Sequence, residues 1–240
     1  MKRISLFSKV GMCGVLLFAT LGCQAGSRTA ERGADDAAQR EVSLRNGISR
    51  ITTQTAIDVI YVQQSGRPYA RIEAPERILP LVEVSQNGAA LDVGYKRGSG
   101  NIRMRSGERC VVYVYAPEVT EFTANSAGSI QLERTLRTER DVTIRLNSAG
   151  DLKGPGIDCA DLSVQLSSAG DAEFDEVRCR QFDVSVSSAG DFHASQVRCD
   201  NARLEASSAG DCIIGQLDCK GSVDSRSSSA GSIRIKTSRR

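Results

Sequence analysis

The chain has 240 residues, 40% hydrophobic and 25% charged, with 31 Lys and Arg against 29 Asp and Glu, a balance that excludes disorder as its dominant state. A net charge of +2, no Trp and 5% aromatic side chains argue against a nucleic-acid partner. With 22 Gly and few large side chains, the composition favours a repetitive β architecture over a deep enzyme pocket.

Lys2, Arg3 and Lys9 precede an apolar stretch from Val10 to Leu21. That stretch falls short of the roughly 20 residues that span a bilayer and has the layout of an export signal. It ends in Leu21-Gly22-Cys23, which resembles the lipobox of bacterial lipoproteins. On that resemblance residues 1–22 are a removable signal, and Cys23 is the site of lipid attachment and the mature N-terminus. Several acyl chains on one residue make a stable anchor. Residues 23–45 are small, polar and mixed in charge, and read as a flexible tether. The expected location is the bacterial cell envelope, lipid-anchored at the outer membrane, with the membrane as a partner through the anchor.

Residues 46–117 are β-rich by pattern. Ile57, Val59 and Tyr61 alternate, Gln64-Ser65-Gly66-Arg67-Pro68 is a turn, Asn87-Gly88 is a hairpin signal before Leu91 and Val93, and Cys110 to Tyr115 is a further strand. These residues read as broader coils or as a capping sheet. Gly98-Ser99-Gly100 lies in a loop and lacks the following helix that a phosphate-binding motif needs.

Residues 118–240 are organised by a repeat. Ser-Ala-Gly recurs with its glycine at positions 128, 150, 170, 190, 210 and 231. A period of about 20 residues is too short for paired helices and suits one coil of a β-solenoid. Val142, Ile144 and Leu146 alternate with polar residues, as do Leu162, Val164 and Leu166, then Phe182, Val184 and Val186, then Ala202, Leu204 and Ala206. Each set is one buried strand face. After the glycines, Leu152, Ala172 with Phe174, Phe192 with Ala194, and Cys212 with Ile214 form a second face. Val177 with Cys179, Val197 with Cys199 and Leu217 with Cys219 form a third. Three short strands per coil, with Gly at a corner needing an unusual φ, describe an all-β, right-handed parallel β-helix of triangular section, about 20 residues per coil, with an N-terminal β-rich capping region. The last coil weakens, carrying Ser225 and Ser227 where the others are apolar.

The stacked turns, the run Ile48 to Val62, the Asn87-Gly88 hairpin and the Ile57-Asp58-Val59 motif resemble the head GIN domain family of auto-transporter adhesins, over roughly residues 46–235. The resemblance implies a β-helix and an exported location, and supplies no catalytic or ligand residues. Ala stands here where the family often has Gly, which fits a turn only if φ stays negative there.

In-register coils place Asp151, Asp171, Asp191 and Asp211 in a column of like charges about 5 Å apart. Either each accepts backbone N–H groups at its corner or cations sit between them. The column is also a candidate partner-facing ladder. Cys159, Cys179, Cys199 and Cys219 form a second column, as buried thiols, as coil-to-coil disulfides or, least suited by spacing, as a zinc site. No cofactor and no catalytic residue is expected. His193, the one histidine, points to solvent, and Glu173, Asp175, Arg178 and Arg180 read as a solvated face. The expected function is a non-catalytic, adhesin-like binding or structural module for a protein or polysaccharide ligand. The alternative is a β-helix enzyme acting on polysaccharide.

Overall fold

A computed structural model describes residues 37–239. The signal segment and Cys23 therefore lie outside the described residues. No α-helix occurs among the described residues. Twenty strands stack into a β-solenoid of about 6 turns, about 21 residues each.

The repeats build the coils in chain order. The strands are β1 (Ala37–Ser43), β2 (Arg50–Gln54), β3 (Asp58–Gln63), β4 (Tyr69–Pro75), β5 (Val82–Asn87), β6 (Ala90–Tyr95) and β7 (Val111–Ala116). They continue as β8 (Glu121–Asn125), β9 (Ser129–Leu132), β10 (Leu136–Arg137), β11 (Val142–Asn147), β12 (Asp151–Asp158), β13 (Asp161–Leu166) and β14 (Asp171–Arg178). The last are β15 (Gln181–Val186), β16 (Asp191–Cys199), β17 (Asn201–Ala206), β18 (Asp211–Cys219), β19 (Val223–Ser227) and β20 (Ser232–Arg239). One sheet runs β1-β4-β7-β3-β9-β12-β14-β16-β18-β20, with β10 beside β12; the other runs β19-β17-β15-β13-β11-β8-β2-β6-β5. In the repeats every pairing is parallel, and Val142, Leu162, Phe182, Ala202 and Val223 follow one another in register.

The alternating apolar positions are the core. Phe182 and Phe192 pack at 5.7 Å and Phe174 and Phe192 at 6.2 Å, tilted, between the two sheets. Burying apolar alternation on both sheets explains why one coil is stable only with neighbours above and below.

Two expectations need correcting. The second and third strands of a coil are one long strand with a bend. Pairing skips Pro155, Asp175 and Ser195, so two successive residues face out and the inward alternation resumes at Val177 or Val197. The corner glycines do not carry the unusual φ. Ser148, Ser168, Ser188, Ser208 and Ser229 do, at 57 to 66°. The glycine is needed because a Cβ at Gly170 would lie 2.9 Å from the Gly150 carbonyl oxygen, and one at Gly150 would lie 2.5 Å from that of Ala124. The alanines at 149, 169, 189 and 209 avoid positive φ, as the substitution for Gly requires, whereas Ala127 adopts 64°.

Residues 46–117 supply both coils and cap. The coil of β2 and β3 is not at the end: it lies between the β6–β7 coil and the β8–β9 coil. The chain runs outward from β3, reverses, and passes back over that coil between Ala116 and Glu121. Buried Tyr61 secures the crossing, its hydroxyl donating to the Ala116 carbonyl (3.2 Å) and accepting the Val119 N–H (3.1 Å). Pairing of β4 with β7, β1 with β4 and β5 with β6 is antiparallel and closes this end. Residues 37–43, expected within the tether, are strand β1 on the edge of the cap.

Candidate functional site

The aspartates at the start of β12, β14, β16 and β18 are brought into one column by the register of the long sheet. Asp171 aligns with Asp191 and Asp191 with Asp211. The Asp171 N–H donates to Asp151 Oδ1 (3.4 Å), and the Asp191 N–H to Asp171 Oδ1 (3.2 Å). Each such carboxylate thus caps the coil next to it. Like charges remain close, and Asp191 titrates above the ordinary carboxylate range through burial, then through Asp171 and Asp211. Arg234 approaches Asp211 at 3.4 Å. At the other end the column continues through Ser129, whose hydroxyl donates to Asp58 Oδ1 (2.7 Å). Asp58 went unrecognised as a member because its coil lacks the Ser-Ala-Gly signature, although Ile57-Asp58-Val59 repeats the apolar-Asp-apolar pattern.

At the third face Cys199 lies opposite Cys219 in register, and Cys159, Cys179 and Cys199 line one surface cleft. All six described cysteines are free thiols. Burial pushes the Cys159 thiol up to about 12; Cys179 and Cys199 are raised too, Cys199 also by the neighbouring Cys219. Cys159 donates to the Asp161 carbonyl (3.5 Å) and Cys219 to that of Asp200 (3.4 Å). Such protonated thiols are poor nucleophiles and poor metal ligands. Among the described residues no group of three or more His, Cys, Asp or Glu is placed to hold a metal ion.

The mixed charges are solvated pairs. Arg178 and Arg198 both meet Glu176, and Arg180 meets Asp161 at 3.2 Å. His193 lies on the outer face, 4.0 Å from Glu173. Gly98-Ser99-Gly100 borders a shallow, open cleft with Gln54, Tyr95 and Asn101. One feature was invisible in sequence. Antiparallel pairing of β4 with β7 gathers Tyr69, Tyr113 and Tyr115 on the outer face of the cap, Tyr69 stacked on Tyr115 at 4.4 Å and the Arg71 guanidinium 4.6 Å above the Tyr113 ring.

The family described as "Putative auto-transporter adhesin, head GIN domain" matches residues 48–238. A crystal structure of a putative adhesin from Parabacteroides merdae superposes with a TM-score of 0.61 at 13% identity, covering 85% of this chain and 97% of that one. One from Bacteroides fragilis gives 0.61 at 16% identity, covering 86% and 98%. At these identities the likeness shows the fold alone. No curated protein matches the sequence.

Proposed function

The chain belongs to the head GIN domain family of auto-transporter adhesins, and on that premise we propose that it is a non-catalytic, lipid-anchored binding module of the bacterial cell envelope. Acylation of Cys23 holds it at the outer membrane, and its coils present a flat polar face to a protein or polysaccharide.

The observation that carries this reading is the sameness of the coils. Catalysis needs unlike groups converging on one point, an acid or nucleophile with an oriented partner. Here the outward carboxylates recur from coil to coil, and those of Asp151 and Asp171 are occupied in part by the N–H of the adjacent coil. Five of the six described cysteines are buried and Cys179 is half-buried, and the one histidine meets a single exposed carboxylate. A rigid array at the strand spacing of about 4.8 Å suits a repetitive partner. Asp151, Asp171, Asp191 and Asp211 are the partner-facing ladder.

Glycan arrays probed with the purified protein, run beside digests of the same polysaccharides, test the reading. Binding without released oligosaccharide is expected. Released oligosaccharide would establish the enzyme alternative instead. Incorporation of labelled palmitate in cells, lost in Cys23→Ser, tests the anchor.

A further inference from the structure

The near-neutral charge of the whole chain conceals two opposed halves. Residues 37–116 carry 11 basic and 7 acidic side chains, a net +4, and residues 117–240 carry 15 and 19, a net −4. The excess at the capped end lies in one loop, between β6 and β7. Between Lys96 and Arg109 stand Lys96, Arg97, Arg103, Arg105 and Arg109 against Glu108 alone. This is a Lys/Arg cluster that the overall composition hides.

The loop is held in place. The Lys96 N–H donates to the Leu81 carbonyl (2.9 Å), Arg77 pairs with Glu108 and donates to the Arg103 carbonyl (3.3 Å), and Ile102 and Met104 pack against the core. Its basic side chains are exposed. On the coils, exposed arginines are commonly matched: Arg145 meets Glu121, Arg178 meets Glu176 and Arg226 meets Asp224. Among the described residues no carboxylate pairs with Lys96, Arg97, Arg103 or Arg109.

From this geometry we infer that the Lys96–Arg109 loop docks on the phosphate headgroups of an anionic bilayer and stands the solenoid with its cap toward the membrane. Clustered cations near a bilayer bind anionic lipid, and the effect fades within a Debye length. The choice of a bilayer as occupant rests on the anchored reading above. β1, where the described chain begins, lies at the same capped end, and the 14 residue-to-residue steps from Cys23 to Ala37 span at most about 50 Å. The net negative coils are repelled from the same surface, which reinforces the orientation.

Co-sedimentation of the full chain with vesicles of phosphatidylcholine alone, and of phosphatidylcholine with one-third phosphatidylglycerol, tests this. The readout is the ratio of binding to the two, compared between the native chain and its variants, so that the contributions of Lys2, Arg3, Lys9 and the apolar Val10–Leu21 stretch are common to all. The native chain is expected to prefer anionic vesicles at about 0.05 M salt and to lose the preference at about 0.5 M. Arg97→Glu with Arg103→Glu and Arg109→Glu is expected to lower the ratio roughly tenfold or more. The same reversals at Arg145, Arg178 and Arg226 are expected to lower it far less. An unchanged ratio in the loop variant, an equal drop in the coil variant, or no preference in the native chain would overturn the inference. So would retention by dextran sulfate without vesicle preference. Should the loop variant unfold, Arg97→Gln with Arg103→Gln and Arg109→Gln decides: a lowered ratio is expected, and an unchanged one would overturn the inference. If palmitate labelling fails while the vesicle preference holds, the anchor falls and the docking surface stands.

Discussion

At the Ser-Ala-Gly corner the residue with the unusual torsion and the residue that cannot be replaced are different. Ser168 holds φ at 66°, which disfavours most side chains. Gly170 has no such torsion, but an added Cβ would meet the Gly150 carbonyl and Leu146 Cβ, each at 2.9 Å. Gly170→Ala is therefore expected to destabilise by about 1–3 kcal/mol through overpacking, lowering Tm by roughly 2–4 °C per kcal/mol. Ser168→Gly trades torsional relief against chain entropy and is expected to stay within about 1 kcal/mol of the parent in the same melts. The sequence marks the corner and not this division of labour, because the clash lies with a coil 20 residues away. Asp191 gives a pH-dependent prediction. Its raised folded pKa means that its share of stability is complete below the unfolded carboxylate range, near 4, and falls as pH rises through the folded value. Asp191→Asn, which keeps an acceptor, is expected to melt slightly higher than the parent at neutral pH. The difference should close in acid; a parent that melts higher at neutral pH would contradict the like-charge column.

Within a coil, the long strand and the cysteines it delivers decide what the third face can do. The alternation of apolar positions was legible residue by residue: Val177, Val197 and Leu217 are buried as the spacing required. The bend at Asp175 was not, since two successive outward residues look the same in sequence whether a strand stops or turns. Cys179, half-buried, is the most accessible thiol of its column. Burial keeps Cys159 and Cys212 protonated up to about 12, against about 8.5 in an unfolded chain. Their contribution to stability is thus complete below that unfolded value and lost as pH climbs toward the folded one. Melts between neutral pH and strongly alkaline pH should fall, less steeply in Cys212→Ala, once its own loss at neutral pH is subtracted. Thiol-specific reagent should react slowly with the native protein and with all cysteines after unfolding without reductant; a shortfall restored by reductant would establish bridges. The aromatic cluster is the firmest point of the packing. Phe192→Ala removes the ring shared by Phe174 and Phe182 and is expected to cost about 3–5 kcal/mol in denaturant unfolding.

Over the whole molecule, the repeat announced a solenoid, and the cap did not announce its own path. Local strands could be placed from Ile57, Val59 and Asn87-Gly88. That the β2–β3 coil is sandwiched between two later coils depends on pairings of residues up to 71 apart, such as Arg50 with Glu121, which no local pattern encodes. The stack and its order make one claim that distance measurement addresses directly. In the short sheet, Thr52 is six strand steps from Arg226 and Asp92 is seven, through Thr123, Arg145, Gln165, Ser185 and Glu205. Spin labels carried on unnatural residues leave the native thiols untouched. Pulsed electron paramagnetic resonance should then give about 29 Å for the Thr52–Arg226 pair and about 34 Å for Asp92–Arg226, at about 4.8 Å per strand. Equal distances, a longer Thr52 distance, or values that do not follow the strand spacing would contradict the stacked coils and the inserted first turn together.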